Sequence, residues 1–185
     1  MKKLLFAAAL LLPFMVKAQT PGPYGYKTED KYLYYSNIVQ VDTSFTVSDL
    51  YKDAKLFITK MALTNAKITA DDKTEGLVAV DIEEKSTYKT QTGIGSDPMT
   101  LKYSIKLELK KGRYRYTIDN ILITFEDKDK DNKETVHTLY ELDQDKGGGI
   151  IGVGKSKRVL KAMDALFTDK ITLLTNTMKK KSDDF

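Results

Sequence analysis

The chain has 185 residues, enough for one domain with a substantial hydrophobic core, and it contains no cysteine and one histidine. The absence of cysteine excludes disulfides and thiol chemistry. A histidine-based metal site or catalytic triad could use only one histidine, His137. The net charge is +4, but three lysines and no acidic residue lie in residues 1–18, so the rest of the chain is nearly neutral. Its composition therefore lacks the excess of basic residues that is typical of nucleic-acid-binding proteins.

Residues 1–18 have the layout of a secretory signal peptide. Two lysines precede the apolar run Leu4–Phe14, and the small residue Ala18 stands before Gln19 as a cleavage point. The run is too short to span a bilayer, which takes roughly 20 residues. We therefore expect an exported mature chain, periplasmic or secreted, without a transmembrane segment; an uncleaved anchor is the alternative.

Residues 19–31 carry glycine and proline turn signals without periodicity, which predicts a flexible arm. The arm is rich in tyrosine, a residue favoured at interfaces, so Tyr24 and Tyr26 are candidate contact residues for a partner. The alternative is that these tyrosines merely flank the first strand, predicted at Leu33–Val41 from its β-branched and aromatic residues.

A helix is predicted after this strand. Thr46 is its expected N-cap, and Asp49 three residues later completes a capping box. Seven apolar residues recur at helical spacing and form one stripe: Val47, Leu50, Tyr51, Ala54, Phe57, Ile58 and Met61.

Four more strands are predicted beyond a polar turn region at Asn65–Gly76. They are Leu77–Glu84, Leu101–Lys110, Arg113–Phe125 and Val136–Leu142, the second of which alternates apolar and polar residues without a break.

The third of these strands changes phase near Asp119 and Asn120. Its apolar residues occupy even positions before this point and odd positions after it. One inserted residue would keep both sets on the same face, so the pattern predicts a β-bulge there.

The final helix is predicted from apolar residues at helical spacing: Leu160, Met163, Phe167, Ile171, Leu174 and Met178. The order β-α-β-β-β-β-α predicts an α+β domain over residues 32–178, in which two helices pack on one face of an antiparallel sheet and the other face is solvated. Residues 179–185 are expected to form a frayed tail.

Two motifs resemble ligand sites. Gly149–Ser156 matches the phosphate-binding pattern G-x-x-x-x-G-K-[ST] letter for letter, but no strand follows the last helix to continue the parallel sheet that such a loop needs. We interpret it as a connection into that helix, with weak anion binding at the helix start as the alternative. Asp127–Asn132 begins like a calcium loop but lacks the turn glycine, which indicates a solvated hairpin tip. We assign no catalytic residue, cofactor site or metal ligand.

Arg113 and Arg115 alternate with two tyrosines, so the arginines share one face of their strand. On an open sheet face, these two cations would suit an acidic partner or a glycan. The alternative is an ordinary polar face in which Glu108 on the neighbouring strand pairs with them.

The segment Lys111–Ile121, together with a helix that starts near Asp49–Lys55, resembles the DUF4468 family over roughly residues 35–125. Members are exported proteins, mostly from Bacteroidetes, with a TBP-like fold. The resemblance implies a β-α-β-β-β-β-α saddle and supplies no catalytic residues, because the family has no assigned activity. A TBP-like shape does not by itself imply DNA binding.

These observations lead to two functional expectations. The first is an exported, non-enzymatic binding or interaction module of the bacterial cell envelope, whose partner is an unknown envelope protein or glycan and not nucleic acid. The alternative is a small carboxylate-dependent hydrolase or lyase acting outside the cytoplasm, which requires two converging acids in a concavity.

Overall fold

The computed structural model describes residues 25–61, 65–125, 135–145 and 151–179. The predicted signal peptide, Tyr24, the Asp127–Asn132 segment and the tail beyond residue 179 lie outside the described residues, so those interpretations stay predictions. The elements are β1 (Lys27–Glu29), β2 (Tyr32–Gln40), α1 (Val47–Lys60), β3 (Asn65–Asp72), β4 (Leu77–Lys89), β5 (Ser96–Lys110), β6 (Arg113–Phe125), β7 (Thr135–Thr138), α2 (Leu139–Gln144) and α3 (Val153–Met178).

Within these ranges, seven antiparallel strands form one sheet in the order β1-β2-β6-β5-β4-β3, and β7 also pairs with β6. The central strand β6 pairs along its whole length with β5 on one side. On its other side, β6 pairs first with β2 and then, past Asn120, with β7. The antiparallel sheet expected from the sequence is confirmed.

The helices pack on one face of the sheet, and the hydrophobic core lies between the two layers. Alternate residues of β4, β5 and β6 are buried there, as the predicted alternation required. Phe167 of α3 lies at the centre, with ring centroids 5.0 Å from Tyr35 and 5.1 Å from Tyr103. Truncating a buried phenylalanine to alanine costs about 3–5 kcal/mol, so this contact is a main source of stability. No helix in the described ranges combines the length and apolarity needed to cross a membrane.

The long helix α3 is also fixed to the sheet by polar contacts. Lys170 Nζ lies 3.0 Å from a carboxylate oxygen of Glu84 on β4, and the Tyr103 hydroxyl donates to the same carboxylate at 2.8 Å. Both charged side chains are largely buried, so each needs the other to offset the cost of leaving water.

The predicted β-bulge is present. Between the pairs Lys102↔Leu122 and Ser104↔Asp119, β6 advances three residues while β5 advances two. Asn120 takes a left-handed backbone conformation with φ +54°, which asparagine tolerates better than most residues. As a result, the apolar residues on both sides of the bulge are buried on the helix-covered face.

The predicted flexible arm is wrong for the part that the structure describes. Lys27–Glu29 pairs with β2 through a two-residue turn at Asp30 and Lys31, both of which have positive φ. Turns of this kind usually contain Asn-Gly or Asp-Gly. Here a lysine follows Asp30 in place of glycine, so the sequence lacks the usual turn signal. The Gly25 backbone N–H donates to Asp164 on α3 at 2.7 Å, which holds the segment against the helical layer.

Two other predictions need correction. Asn65–Asp72, predicted as a turn region, is the edge strand β3; its residues are almost all exposed on both faces, so burial imposes no alternation on the sequence. The predicted strand Val136–Leu142 divides into β7 and the short helix α2. A capping box formed by Thr138 and Glu141 starts that helix within the predicted strand.

Candidate functional site

The face of the sheet opposite the helices, here called the open face, carries the candidate site. Strand alternation places Arg113, Arg115 and Thr117 of β6 on this face, because the tyrosines between them are buried on the other. Cross-strand pairing joins Ser36, Thr117 and Lys106 in one row. The next row consists of Ile38, Arg115 and Glu108.

The larger concavity of the open face has a volume of about 680 Å³. Tyr32 and Tyr34 of β2 form part of its lining at the β1–β2 end, and the Tyr34 hydroxyl donates to Glu29 at 3.1 Å. The hydroxyl oxygens of Ser36 and Thr117 lie 3.3 Å apart in the same lining. The surface therefore combines aromatic rings, hydroxyls and charged groups.

A smaller concavity of about 480 Å³ lies on the β3–β4–β5 side. Asn120 lines both concavities, so the bulge residue stands where they meet. Its side-chain Nδ2 donates to the Ser104 hydroxyl at 3.3 Å, and Ser104 donates to Asp81 at 2.8 Å. This chain of hydrogen bonds holds polar groups from three neighbouring strands in a defined arrangement.

Asp119, the residue before Asn120, is a half-buried acid in the lining of the larger concavity. Burial raises the pKa of its carboxyl above the ordinary value, nearby Lys106 lowers it, and Asp81 raises it further. This carboxyl is therefore partly removed from water on the lining of the larger concavity, where a ligand can contact it.

The two arginines named from the sequence lie on the open face, as strand alternation predicted. Arg115 lines the larger concavity and lies 3.6 Å from Glu108, whose other neighbour, Lys106, is at 3.5 Å. Arg113 lies closer to the β5–β6 hairpin and forms no ion pair with any described residue. The two side chains are thus neighbours on one surface but differ in their pairing.

Tyr26, the other described candidate, is not on this surface. It is 2 % exposed, its hydroxyl donates to Asp143 of α2, and its ring packs edge-on against Tyr35 with centroids 6.1 Å apart. Its interpretation as an exposed contact residue is wrong, because packing against the helical layer buries it. Tyr24 lies outside the described residues.

The described part of the phosphate-loop-like motif is used internally. The Ser156 hydroxyl donates to the buried Asp145 carboxylate at 2.7 Å, and the Ile151 backbone N–H donates to the same oxygen at 3.2 Å. Lys155 places its ammonium 4.4 Å from the centroid of the Phe125 ring. The hydroxyl and the lysine that would serve a nucleotide therefore have partners within the protein, which agrees with a connection into α3.

His137 lies in β7, buried beside Phe125 at a centroid distance of 5.6 Å, as expected for a strand residue. The described ranges contain no cluster of three or more histidine and acidic side chains that could hold a metal ion.

The open face takes its shape from residues outside the predicted interaction surface: Tyr32, Tyr34, Asp81, Ser104 and Asn120. Of these, Asn120 was predicted as part of the β-bulge. The predicted bulge was the one available signal, because bulges are frequent beside functional sites and redirect side chains.

Comparisons with known proteins agree with the architecture. Residues 35–124 match the family described as a domain of unknown function (DUF4468) with TBP-like fold. The fold is similar to that of a DUF4468 family protein from Bacteroides ovatus, with a TM-score of 0.65 and 13 % identity over 86 % of this chain and 94 % of that one. It is also similar to a TBP-like protein from Parabacteroides distasonis, with a TM-score of 0.58 and 14 % identity over 80 % and 96 %.

No curated protein matches this chain in sequence. At such low identities the structural neighbours establish the fold alone. The resemblance noted in the sequence is confirmed by the match of residues 35–124 to the DUF4468 family model.

Proposed function

We propose that this chain is a non-enzymatic binding module of the bacterial cell envelope, exported by residues 1–18, and that its open face receives the partner. The main support is the shape of that face, which has two adjoining concavities while the helices cover the opposite side of the sheet. Ligand sites are typically concave, with a few polar groups converging from rigid elements.

The composition of the open face also supports binding. Tyr32 and Ile38 are 74 % and 46 % exposed, and charged and polar residues of the same face surround them. Tyrosine and arginine are enriched in interfaces, and both line the larger concavity. The β-sheet holds these side chains in fixed register, which limits the entropy lost when a partner binds.

A position-specific crosslinking experiment in the native cells tests this function. A photo-crosslinking amino acid replaces Thr117 in the larger concavity or, as a control, Lys161 on the exposed side of α3. We expect one dominant adduct from position 117 and none of the same mass from position 161. Equal adducts from both positions, or none from either, would contradict the proposal.

Charge reversal provides a second test. Arg113→Glu combined with Arg115→Glu is expected to abolish the adduct. Arg115 lines the larger concavity, and Arg113 lies beside it, where the two arginines line a further concavity of about 210 Å³. The matched control is Lys157→Glu with Lys161→Glu, which makes the same charge change on α3 and should leave the adduct unchanged. An adduct that survives the arginine substitutions would overturn the assignment of this surface.

One observation favours a carboxylate-dependent hydrolase as a second candidate. Asp119 and Asp81 line the two adjoining concavities; burial raises the pKa of Asp119, and the charge of Asp81 raises it further. Pairs of acids in unequal environments serve as acid and base in such enzymes. Asp119→Asn separates the two functions. An enzyme would retain its ligand and lose at least about 100-fold in turnover, whereas a binding module would release no product with either the wild type or the variant.

A further inference from the structure

We infer that the larger concavity binds an uncharged carbohydrate chain. This inference rests on the proposed function and names the ligand class for the same face. It combines three properties of the lining: exposed aromatic rings, alternating hydrogen-bond donors and acceptors, and balanced charge.

The aromatic rings lie at the β1–β2 end of the concavity. Tyr32 is 74 % exposed, so its ring covers no core residue, and a bond from the Tyr34 hydroxyl to Glu29 helps to orient the second ring. Sugar rings carry a C–H face that packs against such aromatic surfaces and is drawn to their electron-rich faces. An acidic peptide would gain less from two adjacent tyrosines.

The remainder of the lining suits hydroxyl groups, which donate and accept together. The neighbouring hydroxyls of Ser36 and Thr117 can do both, Arg115 donates, and Glu108 accepts. Asp119 adds a half-buried carboxylate, which accepts hydrogen bonds. Ser36 and Thr117 lie in one cross-strand row, Arg115 and Glu108 lie in the next, and Asp119 pairs with Ser104 further along β6.

The charge of the lining favours an uncharged ligand. Three basic and three acidic side chains border the concavity: Lys27, Lys106, Arg115, Glu29, Glu108 and Asp119. Glu108 lies within ion-pair distance of both Arg115 and Lys106, so it offsets part of their positive charge. The acidic side chains of the lining would repel an acidic polymer, whereas a neutral sugar would hydrogen-bond to acidic and basic side chains alike.

The length of the surface favours a chain over a single sugar. Tyr32, Tyr34, Ser36 and Ile38 follow one another on the same face of β2, and six residues of strand extend roughly 20 Å. The volume of about 680 Å³ also falls within the range of small-ligand sites.

Binding to a printed array of neutral and anionic glycans tests this inference, with heparin and poly-glutamate as separate acidic probes. We expect the protein to bind neutral oligosaccharides, and Tyr32→Ala to weaken that binding at least roughly tenfold. Tyr32 is too exposed for its truncation to disturb folding. Ile94→Ala is the matched control, because it removes a side chain that is 85 % exposed on the separate β4–β5 turn, and it should leave binding unchanged.

Three outcomes would overturn the inference: no neutral glycan bound, binding to heparin or poly-glutamate alone, or equal loss in Tyr32→Ala and Ile94→Ala. The crosslinking result shows which proposal has failed. If position 117 crosslinks to another protein and this chain binds no neutral glycan on the array, the carbohydrate ligand is refuted and the binding module is retained. Neutral-glycan binding that Tyr32→Ala does not weaken, with no adduct from position 117, would refute the open face as the binding surface.

Discussion

Replacing Asp53 with asparagine is expected to stabilise the protein at neutral pH. Asp53 lies on α1, is 3 % exposed, and its Oδ2 has no hydrogen-bond partner within the described residues. Burial raises the pKa of its carboxyl from 3.8 to about 6; Asp49 raises it as well, and Lys60 and Lys52 lower it. A difference of about two pKa units between the folded and unfolded chains corresponds to roughly 3 kcal/mol.

The sign of the effect follows from the direction of the shift. The folded state holds the Asp53 proton more tightly than the unfolded chain does, so the ionised carboxylate destabilises the fold above about pH 6. This penalty decreases as the pH falls and vanishes below about pH 4. Asparagine keeps the shape of the side chain without the charge, and therefore avoids the penalty at every pH.

Urea denaturation at pH 7.5 and pH 4 measures this difference, with circular dichroism as the signal because the chain has no tryptophan. Asp53→Asn should be about 2 to 3 kcal/mol more stable than the wild type at pH 7.5 and close to it at pH 4. The control is Asp169→Asn, which removes a carboxylate that is exposed on α3 and should change little. Equal stability at pH 7.5, or a gain of the same size at both pH values, would refute the reasoning.

Three further substitutions are assessed by the same denaturation assay at pH 7.5. Tyr103→Phe removes the hydroxyl bonded to Glu84 at 2.8 Å and should cost about 1.5–3 kcal/mol, because the acceptor is a charged, largely buried group. Ser156→Ala removes a donor to the buried Asp145 carboxylate and should cost about 1–3 kcal/mol. Asn120→Gly should stay within about 1 kcal/mol of the wild type, because glycine adopts φ +54° without strain.

Matched variants distinguish these effects from a general loss of packing. Tyr116→Phe, on the same buried face of the sheet, removes a hydroxyl without a hydrogen bond to any described residue and should be nearly neutral. Asn120→Val should be less stable than Asn120→Gly by about 1–2 kcal/mol, because a β-branched residue is strained in the left-handed region. Loss of stability in Tyr116→Phe as large as in Tyr103→Phe, or equal stability of the two Asn120 variants, would contradict these explanations.

Much of the fold could be predicted because its sequence signals involve neighbouring residues and strands that are buried on one face only. The capping box of Thr46 and Asp49 involves four consecutive residues, and it starts α1 where expected. Strand β5 faces core on one side and solvent on the other, so its alternation is uninterrupted. The bulge at Asn120 followed from a change in that same periodicity.

The missed elements lack such signals. Strand β3 lies at the edge of the sheet, and its exposed residues carry no alternating pattern to detect. Strand β1 has three residues and is recognised only through its pairing with β2. Tyr26 illustrates the consequence, since its burial depends on Asp143, which lies 117 positions later in the chain.

The class of the domain, the bulge and the buried face of each long strand could be predicted from the amino-acid pattern, as could the positions of the main helices and strands. They follow from the period of side chains along a helix or strand. Which polar residues meet on the open face depends instead on the tertiary structure. Ser36 and Thr117 are 81 positions apart in the chain, and their hydroxyl oxygens are 3.3 Å apart because β2 pairs with β6. The order and register of the strands set such meetings, and these depend on how the layers pack together.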